Sequence, residues 1–256
     1  MERVAERVIR FDLAKTTIRE LNQFLHRELP KLIASPAVSF GASAQHLPGI
    51  GTAGEGLTIE VLHPNGQHSI AAGVDAPVTI EIRGHAGYFI AGMNKQAQVT
   101  VHGNVGWSVA ENIMSGLVRV KGCASECAGA SGHGGLVVIE GDASSRCGIS
   151  MKGVDIVVGG SVGHMSAFMA QAGTLVVCGD AGANLGDSLY EATIYVRGRI
   201  ASLGTDAREE PMQSDDYRKV ADLLRRAGMS HAPEEFKRVA SARTLYHWHE
   251  GASGHY

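Results

Sequence analysis

Short runs in which aliphatic and polar residues alternate return along the chain at a constant interval: VTIEIRG, QVTVHG, LVRVKG, LVVIEG, VDIVVGG, TLVVCG and TIYVRG. Each ends on a glycine, at Gly84, Gly103, Gly122, Gly141, Gly160, Gly179 and Gly198, and each glycine stands 19 residues after the last. Four residues before the glycine come Ile80, Val99, Val118, Val137, Ile156, Leu175 and Ile194, and two before it come Ile82, Val101, Val120, Ile139, Val158, Val177 and Val196. All are aliphatic. The residues just before the glycine, Arg83, His102, Lys121, Glu140, Gly159, Cys178 and Arg197, complete the period-two alternation of a strand with one face buried.

Equal spacing separates a meander from a coil. Antiparallel strands need not keep identical connections, whereas stacked coils place equivalent residues over one another and require equal turns. The pattern predicts an all-β fold, a parallel β-helix with 19-residue coils. It is taken as right-handed because parallel crossovers overwhelmingly are. The repeat glycines mark a corner where positive φ or a close backbone approach excludes a Cβ. A second corner follows three residues later at Gly87, Gly106, Ser125, Ser144, Gly163 and Gly182, with Ala86, Val105, Ala124, Ala143, Val162 and Ala181 pointing inward between them. An earlier strand at 57–66, with Asn65 and Gly66 at the glycine phase, reads as a modified first coil. The expected organisation is a helical cap and lead-in over 1–56, a solenoid over 57–204, and a helical cap and tail over 205–256.

The flanks carry helix signals. Thr17 to Glu20 forms a capping box ahead of the apolar stripe Ile18, Leu21 and Leu25, predicting a helix near 17–28. Ser214 is placed to cap a second helix with Asp215 and Asp216 in its first turn, Val220, Leu223 and Leu224 buried, and Gly228 at its end; a shorter helix is expected from Pro233. Since the end of a parallel sheet is an unpaired edge, both flanks are expected to cover edges.

Composition narrows the chemistry. The 256 residues carry 33 glycines without proline enrichment, and a net charge of −3 offers no basic field for nucleic acid or an anionic membrane. The charged start MERVAERVIRFDLAK and the lack of a long apolar run lead us to expect a cytoplasmic protein, and the four cysteines to be reduced thiols. Glu111 and Asp187 share a phase but lie four coils apart, roughly 19 Å at a strand spacing of about 4.8 Å, too far to work as a carboxylate pair. Cys123, Cys127 and Cys147 could approach one another as metal or cluster ligands, although small buried thiols are the plainer reading. His247, His249 and His255 read as a tail, and the glycine-rich run 129–135 as solenoid packing, since neither a helix signal nor G-K-[ST] follows it. Met93, Met114, Met151, Met165 and Met169 line a third side, as core filling or as a face for a partner.

The segments between the strands, GYFIAGMN, ENIMSG, CAGASG, CGISMKG, GHMSAFMAQAG and GDSLYEA, resemble the GXGXG domain, the carboxyl-terminal β-helix of the glutamate synthase large subunit, to which a C subunit of formylmethanofuran dehydrogenase is related. With FDLAKTTIRELNQFLH in front and EEFKRVASARTLYHW behind, the chain is most similar to the stand-alone GXGXG subunit of N-methylglutamate synthase. The resemblance implies a non-catalytic scaffold that organises a glutamine-amidotransferase-like subunit and a flavin-binding synthase subunit, which together convert glutamate and methylamine to N-methylglutamate and ammonia. FMN and an iron–sulfur cluster are then expected in the synthase partner, with no cofactor, metal or catalytic residue in this chain, which opens Met1-Glu2 where an amidotransferase needs a cysteine. The matched glycines carry the fold, and Met93, Asn94, Asn112, Met151 and Met165 are the candidate partner-facing residues. The alternatives are a C subunit of a formylmethanofuran dehydrogenase or formyltransferase/hydrolase-type complex, and an independent β-helix enzyme.

Overall fold

The computed structural model describes residues 7–34 and 57–244. Strands β1 (Arg7–Asp12), β2 (Leu57–Leu62), β3 (Thr79–Arg83), β4 (Gln98–Val101), β5 (Leu117–Val120), β6 (Leu136–Ile139), β7 (Lys152–Val158), β8 (Ala172–Val177) and β9 (Thr193–Val196) pair in chain order, every pair parallel. The register is the one the repeat demands. Ile80, Val99, Val118, Val137, Ile156, Leu175 and Ile194 stack as direct partners, all fully buried. A second ladder one residue wide runs through Ala86, Val105, Ala124, Ala143, Val162, Ala181 and Ile200. Between the two ladders lies a continuous aliphatic core, so the expected β-solenoid is the observed fold.

The glycine phase has a specific steric cause. Only Gly84 of the seven has a positive φ; the others are needed because of what sits on the coil before. The residue after each of the first six glycines reaches forward with its side chain to accept the backbone N–H of its equivalent one coil later: His85 from Asn104 (2.9 Å), Asn104 from Cys123 (2.9 Å), Cys123 from Asp142 (3.4 Å), Asp142 from Ser161 (2.7 Å), Ser161 from Asp180 (3.0 Å) and Asp180 from Arg199 (2.8 Å). A Cβ on Gly122, Gly160 or Gly198 would stand 2.2, 2.1 or 2.3 Å from the accepting oxygen of Asn104, Asp142 or Asp180. The corner is therefore fixed by close approach.

The amino-terminal end is closed as the capping box predicts, and more extensively. Thr17 Oγ1 accepts from Glu20 N (3.2 Å) and Glu20 Oε2 accepts from Thr17 N (2.7 Å). The helix then runs as α1 (Ile18–Gln23), a π-helical turn (Phe24–Glu28) and α2 (Leu29–Ala34), beyond the expected end near 28. Leu21, Leu25 and Leu29 are buried in the first coil with Ile59, Ile70 and Val74. Asn22 takes the place of a missing preceding coil, accepting from Ala71 N (3.2 Å) and donating to Ser69 O (2.8 Å). The sheet itself starts ahead of this helix, because β1 pairs with β2 over Arg7 to Asp12.

The carboxyl-terminal flank departs from expectation. Helix α3 (Ser214–Ala227) begins with Gln213, not Ser214, at its N-cap, where Gln213 N donates to Asp216 Oδ2 (2.7 Å), and it stops at Gly228 in the left-handed region. It does not cover the edge. Val220, Leu223, Leu224 and Ala227 pack on the outer face of the sheet against Val138, Val157, Val176 and Tyr195. The expected short helix from Pro233 is a single 3-10 turn, Pro233–Glu235. The edge is instead met by strand β11 (Lys237–Ser241), antiparallel to β9, with β10 (Ala207–Glu210) antiparallel beyond it. The outward positions explain why α3 lies where it does. They read Glu60, Glu81, Thr100 and Arg119 on β2 to β5, then Val138, Val157, Val176 and Tyr195 on β6 to β9. Only the second half offers a helix an apolar floor.

Candidate docking surface

The third side of each coil is a wall built from left-handed backbone. In coil after coil, three alternate residues have positive φ: Phe89, Ala91 and Met93; Ser108, Ala110 and Asn112; Cys127, Gly129 and Ser131; Arg146, Gly148 and Ser150; Met165, Ala167 and Met169; Asn184, Gly186 and Ser188. Such conformations are unfavourable for residues with a Cβ, so something must hold them. The holding force is a two-way hydrogen-bond ladder. Phe89 N and Met93 N donate forward to Trp107 O (2.9 Å) and Glu111 O (2.7 Å), while Ala91 N donates back to Ile70 O (3.0 Å). The next coil repeats this, with Ser108 to Glu126 and Asn112 to Ala130 going forward and Ala110 to Ile90 going back. The middle residue points into the core and is always alanine or glycine; the flanking ones face outward or lie near the surface.

This wall sorts the candidate residues. Met93 is 56% exposed, whereas Asn112 and Met165 are half-buried. Asn94 and Met151 are fully buried and face the interior. Asn94 Nδ2 donates to Ala97 O and Ser115 O, both at 3.0 Å, stitching two coils together, and Met151 fills the core. Neither can meet a partner as the surface stands. Met114, on the side the methionines were expected to line, is exposed like Met93, and beside them the wall presents Tyr88, Phe89 and Trp107, all exposed, which the sequence pattern did not single out. Tyr88 stacks on His68 at 4.3 Å between ring centroids and on Trp107 at 5.4 Å, so three adjacent coils display one aromatic column. Their signal was available. Tyr88 and Trp107 share the position four after the repeat glycine, where later coils carry Glu126, Ser145, His164 and Ala183.

Five large apolar side chains are exposed on two neighbouring coils of this wall, with Tyr88 and Trp107 in ring contact, a concentration that monomeric soluble proteins seldom leave open without a use. Protein GlxC of Rhizobium meliloti (strain 1021) is 50% identical over 238 residues, spanning 93% of this chain and 95% of GlxC. The chain belongs to the GlxC family. No family model matches the chain. The match to GlxC is longer than the solenoid, so the flanking elements, α3 on its apolar floor among them, fall largely within the shared part.

In this GlxC-family protein the remaining candidate chemistry is dispersed. Among the described residues no group of three or more His, Cys, Asp or Glu side chains is arranged to hold a metal ion. Cys123 is exposed and serves as a rung of the corner ladder, whereas Cys147 is buried. Burial pushes the Cys147 thiol up to about 12 and the Cys178 thiol to about 11, and it also raises Cys127, so these three stay protonated near neutral pH. Four ladder steps separate the coils of Glu111 and Asp187. Gly129, in the glycine-rich run, carries positive φ and packs so tightly that a Cβ would stand 2.5 Å from Ile156 Cδ1, which is coil packing and not a phosphate cradle. The histidines at 247, 249 and 255 lie outside the described residues. No helix among the described residues is long and apolar enough to cross a membrane.

Proposed function

We propose that this chain is a non-catalytic, glutamate-synthase-like scaffold subunit that holds partner subunits on the flat walls of its solenoid. The observation that carries the reading is the aromatic and methionine patch of Tyr88, Phe89, Met93, Trp107 and Met114 on the left-handed wall. Large aromatic and methionine side chains at the centre of a surface are the groups that supply most binding energy in protein interfaces. Kinship with GlxC and the resemblance of the inter-strand segments to the GXGXG domain give the direction. The finer assignment is to N-methylglutamate synthase, in which the partners are an amidotransferase-like subunit and a flavin-binding subunit carrying FMN and an iron–sulfur cluster.

Co-purification from native cells, with identification of the bound chains by mass spectrometry, tests both levels. Recovery of amidotransferase-like and flavin-binding subunits supports the assignment, and methylamine-dependent N-methylglutamate formation by that complex supports the finer one. Recovery of metal-dependent amidohydrolase-like subunits would move the chain to the formylmethanofuran class. Turnover by the isolated chain would sink the scaffold reading.

A further inference from the structure

Where the last turn of α3 meets the outer face of the sheet lies an open cleft of about 610 Å³ lined by Arg119, Lys121, Glu140, Arg225, Arg226 and His231, together with the backbone segment Gly228 to Ser230. That volume lies within the range of small-molecule sites. Its charge is unbalanced. Arg119 and Lys121 share one carboxylate, Glu140, at 3.0 and 2.7 Å; Arg225 and Arg226 share another, Asp222, at 2.5 and 3.6 Å. Four permanent cations thus face two carboxylates, leaving an excess of two positive charges before His231 is considered. Arg226 is mostly buried, and its Nε has no hydrogen-bond partner among the described residues, an unusual state for a buried donor.

The end of a helix normally repels anions, since its last carbonyls point outward. Here that repulsion is reduced, because Arg119 donates to Ala227 O (2.9 Å) and Arg226 O (3.3 Å) and covers those carbonyls with its guanidinium. A comparable cleft at the other end of α3, lined by Arg208, Glu209, Glu210, Asp215, Asp216 and Arg238, has the opposite balance, with four carboxylates to two cations. Compensation of the helix dipole calls for cations near α3's last turn, as Arg225 and Arg226 provide. It does not call for Lys121, which arises from the solenoid.

We propose that the cleft of Arg119, Lys121, Arg225 and Arg226 binds a small oxyanion carrying two negative charges, of the dicarboxylate or phosphate class. Guanidinium forks and a lysine suit oxygen pairs of that kind. The site is independent of the docking patch and needs only the free chain. Titration calorimetry of the full-length protein with succinate and, separately, with inorganic phosphate provides the test. Saturable binding of one probe is expected, weakening with added salt, and the probe that binds assigns the class. The exposed residues Lys121 and Arg225 can be changed without disturbing the core, so Lys121→Gln and Arg225→Gln should each weaken binding at least about tenfold while leaving the thermal midpoint and circular dichroism in place. Arg208→Gln, in the acidic cleft, should leave binding unchanged. Absence of saturable binding by both probes, or binding indifferent to Lys121→Gln and Arg225→Gln, would overturn the proposal.

Discussion

On the strand wall, the outward apolar residues Val138, Val157, Val176 and Tyr195 are sealed by Leu223, Leu224 and their neighbours on α3; on the left-handed wall, Tyr88, Phe89, Met93, Trp107 and Met114 remain exposed. Both walls belong to one solenoid and share its core. What differs is who supplies the cover. The strand wall carries its own, fourteen residues long and tethered through β10 and β11, so the cover is always present. The left-handed wall has no counterpart among the described residues, and a cover that comes from another chain can be gained and lost with assembly.

The largest effect should come from breaking the cover that is already in place. Leu223→Ala is expected to cost about 2–5 kcal/mol of folding stability by urea denaturation, because a fully buried side chain is removed from the packing between α3 and the sheet. Trp107→Ala on the open wall should change stability by no more than about 0.5 kcal/mol, yet reduce retention of a partner in pull-downs at least about tenfold. Equal stability losses at the two positions would erase the distinction between the walls. Next in size is the corner that both walls share. Gly122→Ala should cost about 1–3 kcal/mol, since its Cβ would displace Asn104 Oδ1 and press on the backbone of Gly103.

A smaller effect follows from pH. The amino-terminal end of α3 is clamped through Arg238, which pairs with Glu210 and bonds Asp216 (3.2 Å), while Tyr195 donates to Asp216 (2.5 Å). Burial pushes Glu210 upward, but hydrogen bonds from Arg208 and Arg238 outweigh it and hold the carboxyl below its ordinary value of 4.5. A lowered carboxyl contributes stability that is fully present above the ordinary value and is lost as pH falls through the folded one. The stability gap between wild type and Glu210→Gln should therefore be open at pH 7 and narrow progressively below about pH 4.5, read from urea midpoints. A gap that stays constant to pH 3 would show that Glu210 acts through packing alone.

The smallest effects contrast the backbones of the two walls. Arg146 is exposed with φ of 58°, so Arg146→Gly should raise stability by about 0.5–1 kcal/mol through relief of the left-handed conformation, net of the added freedom of the unfolded chain. Thr100→Gly, in strand β4, should lower it by about the same amount. Thermal midpoints moving in the same direction would mean that the left-handed residues are not strained.

Much of the fold was legible because the strand ladder writes itself in residue type: fourteen aliphatic positions at two phases, and a glycine at a third, leave one architecture. The amino-terminal helix announced itself through Thr17 and Glu20. The left-handed wall gave no such sign, since its conformations are imposed by hydrogen bonds to neighbouring coils and fall on Phe89, Met93, Cys127, Arg146 and Met165, types that do not favour positive φ on their own. The position of α3 was readable in the change from Glu81, Thr100 and Arg119 to Val138, Val157 and Val176, but only by following one phase across strands. Strand β1 was masked by its charges, since Arg7, Arg10 and Asp12 stand among its six residues. For the docking surface, methionine identity was a poor guide, because one methionine type serves both core and surface; burial separated Met93 from Met151 where chemistry could not.

The corner ladder of His85, Asn104, Cys123, Asp142, Ser161 and Asp180 spans five residue types that have almost nothing in common except a lone pair at short reach. What is inherited from coil to coil is thus an electronic property and not a letter of the alphabet. Across the coils this position changes residue type while the glycine before it holds from Gly84 to Gly198, and a comparison of coils that scores only identity would mistake its constancy for noise.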